Sequence, residues 1–335
     1  MPLFDRILEH YFGGEPAVIE AGQSGWNNTT RFVTASGTRW VLRIYETHRD
    51  ASKILFEHEA LLALSEQGLP FHVPIPKRTL HGNTIVRLED GTDRLACLFS
   101  YSEGRRPDES DLSIAYQIGE ASARLLGALQ NISLTSKPAY RPYYEIESAY
   151  PLCPPDQVTA FCARPPEPFR SESQALGVIG SAMRTVTESL HAFRLLPHQL
   201  IHGDINHSNL LVDTGKGERI AAILDFEFCT RDLRAMEPAV ILSGFVKGGD
   251  SLGAAERFLQ GFGSVQRMTR PEAAAIPVLI RLRKLDVFIH FLSRYRDGVD
   301  GADVLKEQID SVSQGLRVME SFSDRLTEAC VRFLT

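Results

Sequence analysis

The feature that most restricts this chain lies in its second half: HGDINHSNLL at residues 202–211, followed after a short gap by RIAAILDFEF at 219–228. A polar loop opens into the apolar run Leu210-Leu211-Val212, and an alternating apolar run returns from Ile220 to Leu224. Runs of this length, bounded by polar and glycine-containing segments, read as two short strands of a tight hairpin at about 210–213 and 220–224. The hairpin returns its two ends to one edge, so Asn209, just before the first strand, and Asp225, just after the second, come to lie together. An amide oxygen and a carboxylate are hard ligands suited to Mg2+, which takes few protein ligands and completes its shell with water and phosphate oxygens. Asp204, five residues before Asn209, then stands where it can orient a hydroxyl and accept its proton. Singly, an Asp or Asn in a loop serves its own backbone. The conjunction of H-G-D-x-x-x-x-N, strand, hairpin and Asp225-Phe226-Glu227 singles out a site.

Composition removes several other classes. The chain has 335 residues, 43% of them apolar and 23% charged, enough for a substantial core in one large unit or in two that share a cleft. Its net charge of -6 gives no electrostatic footprint for nucleic acid. The five cysteines are odd in number and form no C-x-x-C pair, which disfavours both a disulfide scaffold and a zinc site. There is no H-E-x-x-H pair among the ten histidines and no G-x-S-x-G elbow, so zinc-protease and serine-hydrolase readings fall away. No run of eighteen apolar residues occurs, and MPLFDRILEHYFGG lacks a basic region followed by a long apolar one. The expectation is a soluble, cytoplasmic protein without a membrane partner.

Along the chain, AVIEAG (17–22), TTRFVTA (29–35) and TRWVLRIYE (38–46) read as strands, the last two joined by a hairpin with Ser36-Gly37 at its tip. Residues 50–67 carry helical spacing and end at Gly68; strand-like runs follow at 84–89 and 94–101. Beyond the Gly-Arg-Arg-Pro stretch at 104–107 the chain turns helical, at 110–131, 171–195, 235–247, 273–297 and 302–333. Between the first two of these lies a Pro- and aromatic-rich segment, 137–169, which reads as an ordered excursion over the surface, a lid or a substrate wall. In 281–296, Leu282, Leu285, Phe288, Ile289 and Leu292 recur at helical spacing, so that stretch reads as a core helix with a solvated basic face.

On the residues His202-Gly203-Asp204, Asn209 and Asp225-Phe226-Glu227, the chain resembles the aminoglycoside phosphotransferase/choline kinase group of kinase-like enzymes, which includes the type II homoserine kinases. The resemblance extends over roughly residues 15–300. It implies an α+β, protein-kinase-like two-lobed fold: a small β-rich nucleotide-binding lobe (1–101) and a larger, mainly helical catalytic and substrate-binding lobe (102–335). It implies ATP and Mg2+ as cofactors, Asp204 as catalytic base, Asn209 and Asp225 as metal ligands, and His202 as a brace for the loop. Glu227 is then a second metal or substrate ligand or a packing residue, and His207 a substrate contact or an exposed loop histidine. Glu237, where the group usually has an aspartate that supports the catalytic loop from below, begins a helix with Pro238 in its first turn.

Kinases place a lysine on the third strand against the α- and β-phosphates and hold it by a glutamate on the next helix. Here that strand position is Arg43, which binds phosphate through a planar fork rather than a point charge. Its expected partner is Glu59, which shares a helix side with Leu55 and Leu62; Glu57 is the alternative if the helix is rotated. The loop AGQSGWNNTT (21–30) offers Ser24, Asn27 and Asn28 with backbone N–H groups to the phosphates, and Phe99-Ser100-Tyr101 is placed against the adenine by the resemblance. Arg141, Tyr143, Tyr144 and Glu145 of the excursion are candidate substrate contacts.

The function these residues point to is transfer of the γ-phosphoryl group of ATP to a hydroxyl of a small molecule, homoserine kinase-like or aminoglycoside phosphotransferase-like. Two alternatives stand beside it. A protein serine/threonine kinase would need an activation loop, and none is recognisable between Asp225-Phe226-Glu227 and the helix near 235. A catalytically silent nucleotide-binding scaffold is motivated by Arg43 and opposed by the retention of Asp204, Asn209 and Asp225 together.

Overall fold

The computed structural model describes residues 3–22, 28–46, 50–108, 111–213, 215, 219–246 and 250–335. Its N-terminal part is a five-stranded antiparallel sheet in the order β1-β2-β3-β5-β4, built from β1 (Ala17–Ala21), β2 (Asn28–Ala35), β3 (Thr38–Tyr45), β4 (Val86–Arg87) and β5 (Leu95–Ser100). Strands β2 and β3 form the expected hairpin with Ala35 opposite Thr38, and both tip residues, Ser36 and Gly37, take positive φ (51° and 72°) as a tight primed turn requires.

The two-residue period of a strand decides which groups face the rest of the molecule. Leu42 and Ile44, with Ala96 and Leu98 across from them, pack against Ile7, Leu8 and Tyr11 of helix α1 (Leu3–Phe12), an amphipathic helix that the sequence reading did not anticipate. The alternate residues, Arg43 and Tyr45 with Cys97 and Phe99, face the other way, toward helix α2 (Ala51–Ser65) and the large lobe. The Asp50 side chain caps α2 by accepting the Ser52 backbone N–H at 2.9 Å, and the helix gives way to Gly68 at φ 64°.

The large lobe is helical: α3 (Ala115–Asn131), α4 (Ile146–Ala149), α5 (Pro155–Ala163), α6 (Ser173–Phe193), α7 (Met236–Phe245), α8 (Ser251–Gly263), α9 (Arg270–Arg296), α10 (Ala302–Glu320) and α11 (Ser323–Leu334). The single helix expected over 302–333 is two, broken at Ser321 and Phe322. Helix α9 runs through the centre, with Leu282, Leu285, Phe288, Ile289 and Leu292 fully buried. The 137–169 excursion is no surface lid: Cys153, Val158 and Phe169 are completely buried in the core shared with α6 and α9. Its prolines break it into short helices, and its aromatics fill space; Phe161 packs against Phe169 at 5.4 Å and Phe288 at 6.4 Å.

Two small antiparallel pairs complete the lobe beneath the sheet, β6 (His198–Ile201) with β9 (Thr230–Leu233) and β7 (Leu210–Val212) with β8 (Ile220–Ile223). The second is the hairpin foreseen from the sequence, with Leu210 opposite Ile223. Among the described residues no helix is long and apolar enough to cross a membrane.

Candidate active site

The segment joining β6 to β7 carries the polar motif, and its shape follows from three local devices. Gly203 takes φ 79°, and a Cβ there would stand 3.0 Å from the Phe228 carbonyl oxygen, so only glycine makes this turn without strain. His202 is buried against Phe226, ring centroids 4.4 Å apart. Its Nε2–H donates to the Leu224 carbonyl at 3.0 Å, and its Nδ1 accepts the Asp204 backbone N–H at 3.2 Å, which assigns the neutral tautomer from its partners. Burial lowers its pKa to about 4, so it braces the loop uncharged. Glu237, in the first turn of α7, accepts the backbone N–H groups of His202 and Gly203 from below, as expected; burial lifts its pKa to about 7 against those two bonds.

Asn206 then caps a single 3-10 turn, His207–Asn209, its Oδ1 accepting the Ser208 N–H at 2.9 Å. The turn aims Asn209 back at Asp204: Nδ2 donates to the Asp204 carbonyl at 2.9 Å and to its carboxylate Oδ2 at 3.2 Å. Oδ1, which among the described residues accepts only the Ser208 hydroxyl at 3.4 Å, is the end able to meet a cation. The Leu224 N–H donates to the Asn209 carbonyl at 2.8 Å, which sets Asp225 beside Asn209 at the hairpin edge. Asp225 sits at φ 64°, a left-handed conformation that costs a non-glycine residue roughly 1 kcal/mol. Its side chain remains one-third exposed, with Oδ1 accepting Arg43 Nη1 at 3.3 Å.

Glu227 lies behind this edge. Burial, then the neighbouring Asp225, raises its pKa to about 7, and the Asn28 side chain hydrogen-bonds to it. Among the described residues its buried Oε2 has no hydrogen-bond partner. Asn28, the first residue of β2, thus reaches the large lobe; Ser24 and Asn27 lie outside the described residues.

Arg43 reaches from the sheet to the hairpin edge. Its guanidinium lies 3.6 Å from Glu57 and 5.3 Å over the Phe99 ring, and Tyr45 donates to the far Glu57 oxygen at 3.4 Å. Burial disfavours its charge, but Asp225 first, then Tyr45 and Glu57, outweigh that and hold the guanidinium firmly protonated. The partner is therefore Glu57 and not Glu59. Helix α2 buries Ile54, Glu57, His58, Leu61 and Leu64 and leaves Leu55 42% exposed, so its inward stripe is turned from the one that Leu55 and Leu62 suggested. Glu59 instead accepts the Thr135 N–H at 2.6 Å, the Thr135 hydroxyl at 2.7 Å and the Ser136 N–H at 3.0 Å, from the turn after α3.

Other expectations shift as well. Ser100 still belongs to β5 and donates its backbone N–H to Ile75 at 2.9 Å, so that group is unavailable to a base. Phe99 is buried beneath Arg43, and the Tyr101 ring meets Phe32 edge to face at 5.6 Å with Arg39 stacked 4.3 Å over it. His207 is not an exposed loop histidine; it is buried against Phe245 at 5.9 Å. Tyr144 is engaged with His198, its hydroxyl 3.0 Å from Nε2, and Arg141 is exposed beside Glu145 at 3.7 Å. Of that segment it is Tyr143 that touches the loop, donating its hydroxyl to the Gly203 carbonyl at 2.8 Å.

The residue that sequence reasoning missed is Arg283. It projects from α9 beside the apolar stripe and donates through Nη2 to Asp204 Oδ1 at 3.1 Å and through Nη1 to Asp286 Oδ2 at 3.0 Å. Its i,i+3 relation to Asp286 on a core helix was the available signal. Burial lifts the Asp204 pKa to about 6, with Arg283 opposing. Among the described residues no group of three or more His, Cys, Asp or Glu is arranged to hold a metal. At this edge stand one amide and one carboxylate, with a second carboxylate, Asp204, hydrogen-bonded to the amide.

Comparison with known proteins adds a lineage to this geometry. The sequence profile described as the phosphotransferase enzyme family matches residues 18–276. The homoserine kinase of Beijerinckia indica is 26% identical over 288 residues, covering 82% of this chain and 80% of that one. That of Sinorhizobium fredii is 24% identical over 328 residues, covering 92% and 91%. Among solved structures, a microcompartment-associated aminopropanol kinase superposes with a TM-score of 0.68 at 18% identity, over 97% of this chain and 98% of the other. An aminoglycoside phosphotransferase from Alicyclobacillus acidocaldarius does so with 0.67 at 16% identity, over 99% and 98%. At such identities the structural likeness is one of fold: the two-lobed kinase-like architecture.

Proposed function

This chain belongs to the phosphotransferase enzyme family, and from that premise we propose that it transfers the γ-phosphoryl group of ATP, with Mg2+, to a hydroxyl of a small amino alcohol or hydroxy amino acid. The observation that carries the reading is the convergence of Asp204, Asn209 and Asp225 at one edge of the β7–β8 hairpin, opposite Arg43. Asn209 and Asp225 would hold the metal. The donor set fits: both are hard oxygens, the Asn209 amide is oriented by bonds from its other end, and Mg2+ prefers few protein ligands. Bound there, the ion supplies neutralisation of phosphate charge.

The remaining work falls to the chain's own groups. Arg43, held by Glu57 and Asp225, is positioned to bind phosphate oxygens. Asp204 orients the acceptor and takes its proton as the hydroxyl oxygen bonds to the γ-phosphorus and the bond to the β-phosphate oxygen breaks, leaving ADP and a phosphate monoester. With a pKa near 6, it is ionised at neutral pH and basic enough to accept a proton. A small acceptor is supported by the path after Phe226, which runs through one turn and β9 directly into α7 and leaves no segment to dock a peptide.

The test is ADP release with L-homoserine, 3-amino-1-propanol and kanamycin as acceptors. Acceptor-dependent release that falls by about 10²–10⁴-fold in Asp204→Asn, with ATP affinity retained, is the expected result. Acceptor-dependent turnover undiminished in that variant overturns the assignment.

A further inference from the structure

Asp204 has to present a lone pair to the acceptor hydroxyl, and its own side chain does not fix where that lone pair points, because rotation of an aspartate carboxylate about its last bond is broad. The direction is set by what the two oxygens already hold. A carboxylate offers about four acceptor positions, two on each oxygen. Among the described residues, two side chains of the catalytic loop fill those on Oδ2: Asn209 Nδ2 at 3.2 Å and Asn206 Nδ2 at 3.3 Å. Oδ1 holds a single donor, Arg283 Nη2 at 3.1 Å, the shortest of the three bonds and the one that comes from outside the loop. Against these donors one position is left for a hydroxyl, on Oδ1 beside the guanidinium. Asp204 and Arg283 are each about one-fifth exposed, so this end of the carboxylate is not sealed into the core.

The guanidinium is itself fixed from behind. Nη1 donates to Asp286 Oδ2 at 3.0 Å, and the other oxygen of Asp286 accepts the Tyr150 hydroxyl at 2.7 Å. The Tyr143 ring lies 5.7 Å away, within cation–π range. Tyr143 is pinned at both ends, its backbone N–H to Asp232 at 2.6 Å and its hydroxyl to the Gly203 carbonyl at 2.8 Å. One cation thus serves two acids, although Asp286, three residues along the same helix, would pair with it alone. The bond to Asp204 is what the arrangement adds. We propose that Arg283 is a positioning residue for phosphoryl transfer: it occupies one acceptor position of Asp204 Oδ1 and so fixes the direction of the one that takes the hydroxyl, with Asp286 and Tyr150 acting through it. The inference rests on the phosphotransferase reading and holds for any acceptor alcohol. The 137–169 segment, which supplies Tyr143 and Tyr150, then serves catalysis by supporting the carboxylate and not by covering the substrate. Loss of the bond costs orientation rather than affinity, and a misplacement of about 1 Å is enough to cost on the order of 10²-fold in rate. A bound acceptor cannot follow a turned carboxylate; a free water molecule can.

The test compares phosphoryl transfer with ATP hydrolysis in the absence of acceptor, using whichever of L-homoserine, 3-amino-1-propanol and kanamycin the wild type turns over fastest. Rates are read on the alkaline plateau of the pH–rate profile, where Asp204 is ionised in every variant. Arg283→Gln should lower kcat for transfer by about 10–10²-fold while the KM values for ATP and acceptor stay within about threefold. Hydrolysis should fall by less, so the ratio of hydrolysis to transfer rises. Asp286→Asn and Tyr150→Phe, which leave Arg283 in place, should shift kcat and that ratio in the same direction by about two- to tenfold. ATP binding, followed by quenching of intrinsic fluorescence, reports whether each variant is folded; if Arg283→Gln is not, Asp286→Asn and Tyr150→Phe carry the same comparison. An unchanged kcat, transfer and hydrolysis falling in proportion, or a rise in acceptor KM alone overturns the inference and leaves the phosphotransferase reading standing. A wild type that releases no ADP with any of the three acceptors overturns both.

Discussion

Arg43 of β3 and Asp225 at the end of β8 meet at 3.3 Å, joining the sheet of the small lobe to the hairpin of the large one. An arginine thus stands where kinases carry a lysine, and it bridges the acid on its own lobe, Glu57, to the acid proposed for the metal. Replacing it tests whether charge alone suffices. Arg43→Lys should keep activity within about tenfold of wild type, whereas Arg43→Ala should raise the KM for ATP and lower kcat/KM by about 10²–10³-fold. Steady-state kinetics at varied ATP measures both, and an Arg43→Ala enzyme with unchanged KM for ATP would remove the guanidinium from the nucleotide site.

Asn209 and Asp225 should control the response to metal. Chelation with EDTA is expected to abolish turnover and added Mg2+ to restore it. Asp225→Asn, which removes the single carboxylate of the pair, should raise the Mg2+ concentration for half-maximal rate about tenfold or more. A metal titration of turnover in both proteins decides it.

Glu57 and Glu59, two residues apart on α2, should separate cleanly. Glu57→Gln is expected to weaken ATP binding, since it loosens Arg43. Glu59→Ala should leave nucleotide affinity near that of wild type while costing about 1–2 kcal/mol of stability, because it strips three donors at the Thr135 turn of their acceptor. Burial raises the Glu59 pKa, but the bonds from Ser136 and Thr135 outweigh it and hold it at about 2, below its ordinary 4.5. A depressed carboxyl contributes stability fully present above about 4.5 and lost as pH falls toward 2. Denaturant unfolding should show the penalty of Glu59→Ala at pH 7 shrinking through that window.

Glu237 should do the opposite. Its pKa is raised by burial from 4.5 to about 7, so the folded protein holds a proton that the unfolded chain releases, and stability declines as pH rises between those values. Glu237→Gln keeps an acceptor for the His202 and Gly203 N–H groups but puts an amide where, among the described residues, the buried Oε1 has no partner, a cost that does not vary with pH. The unfolding free energy of the variant should therefore change less steeply between pH 4.5 and 7 than that of the wild type. Parallel slopes would mean that Glu237 does not titrate in this range.

The hairpin and its two ends were readable because they are local: strand length, turn residues and the spacing from Asp204 to Asn209 lie within one stretch of chain. The direction of Arg43 was readable for the same reason, since a strand alternates by rule. Glu57 was misassigned to second place because both faces of α2 carry leucine, and the choice between them belongs to what the helix packs on. Arg283 was harder to read, because its i,i+3 relation to Asp286 marks a pair but not what else the pair meets. It lies 79 residues from Asp204, and a cation beside an apolar stripe looks the same whether it faces water or a buried acid. The 137–169 segment misled through its prolines, which interrupt helices but do not keep a chain on the surface; Phe169 is completely buried.

Glu59 ties the small lobe's helix to the turn that follows α3, and this has a consequence for control. Enzymes of this architecture can be switched by swinging that helix outward, which parts the acid it carries from the phosphate-binding cation. Here such a swing would have to tear the helix from a mooring on the opposite lobe. By mooring α2, Glu59 also steadies its neighbour Glu57 in reach of Arg43 at 3.6 Å.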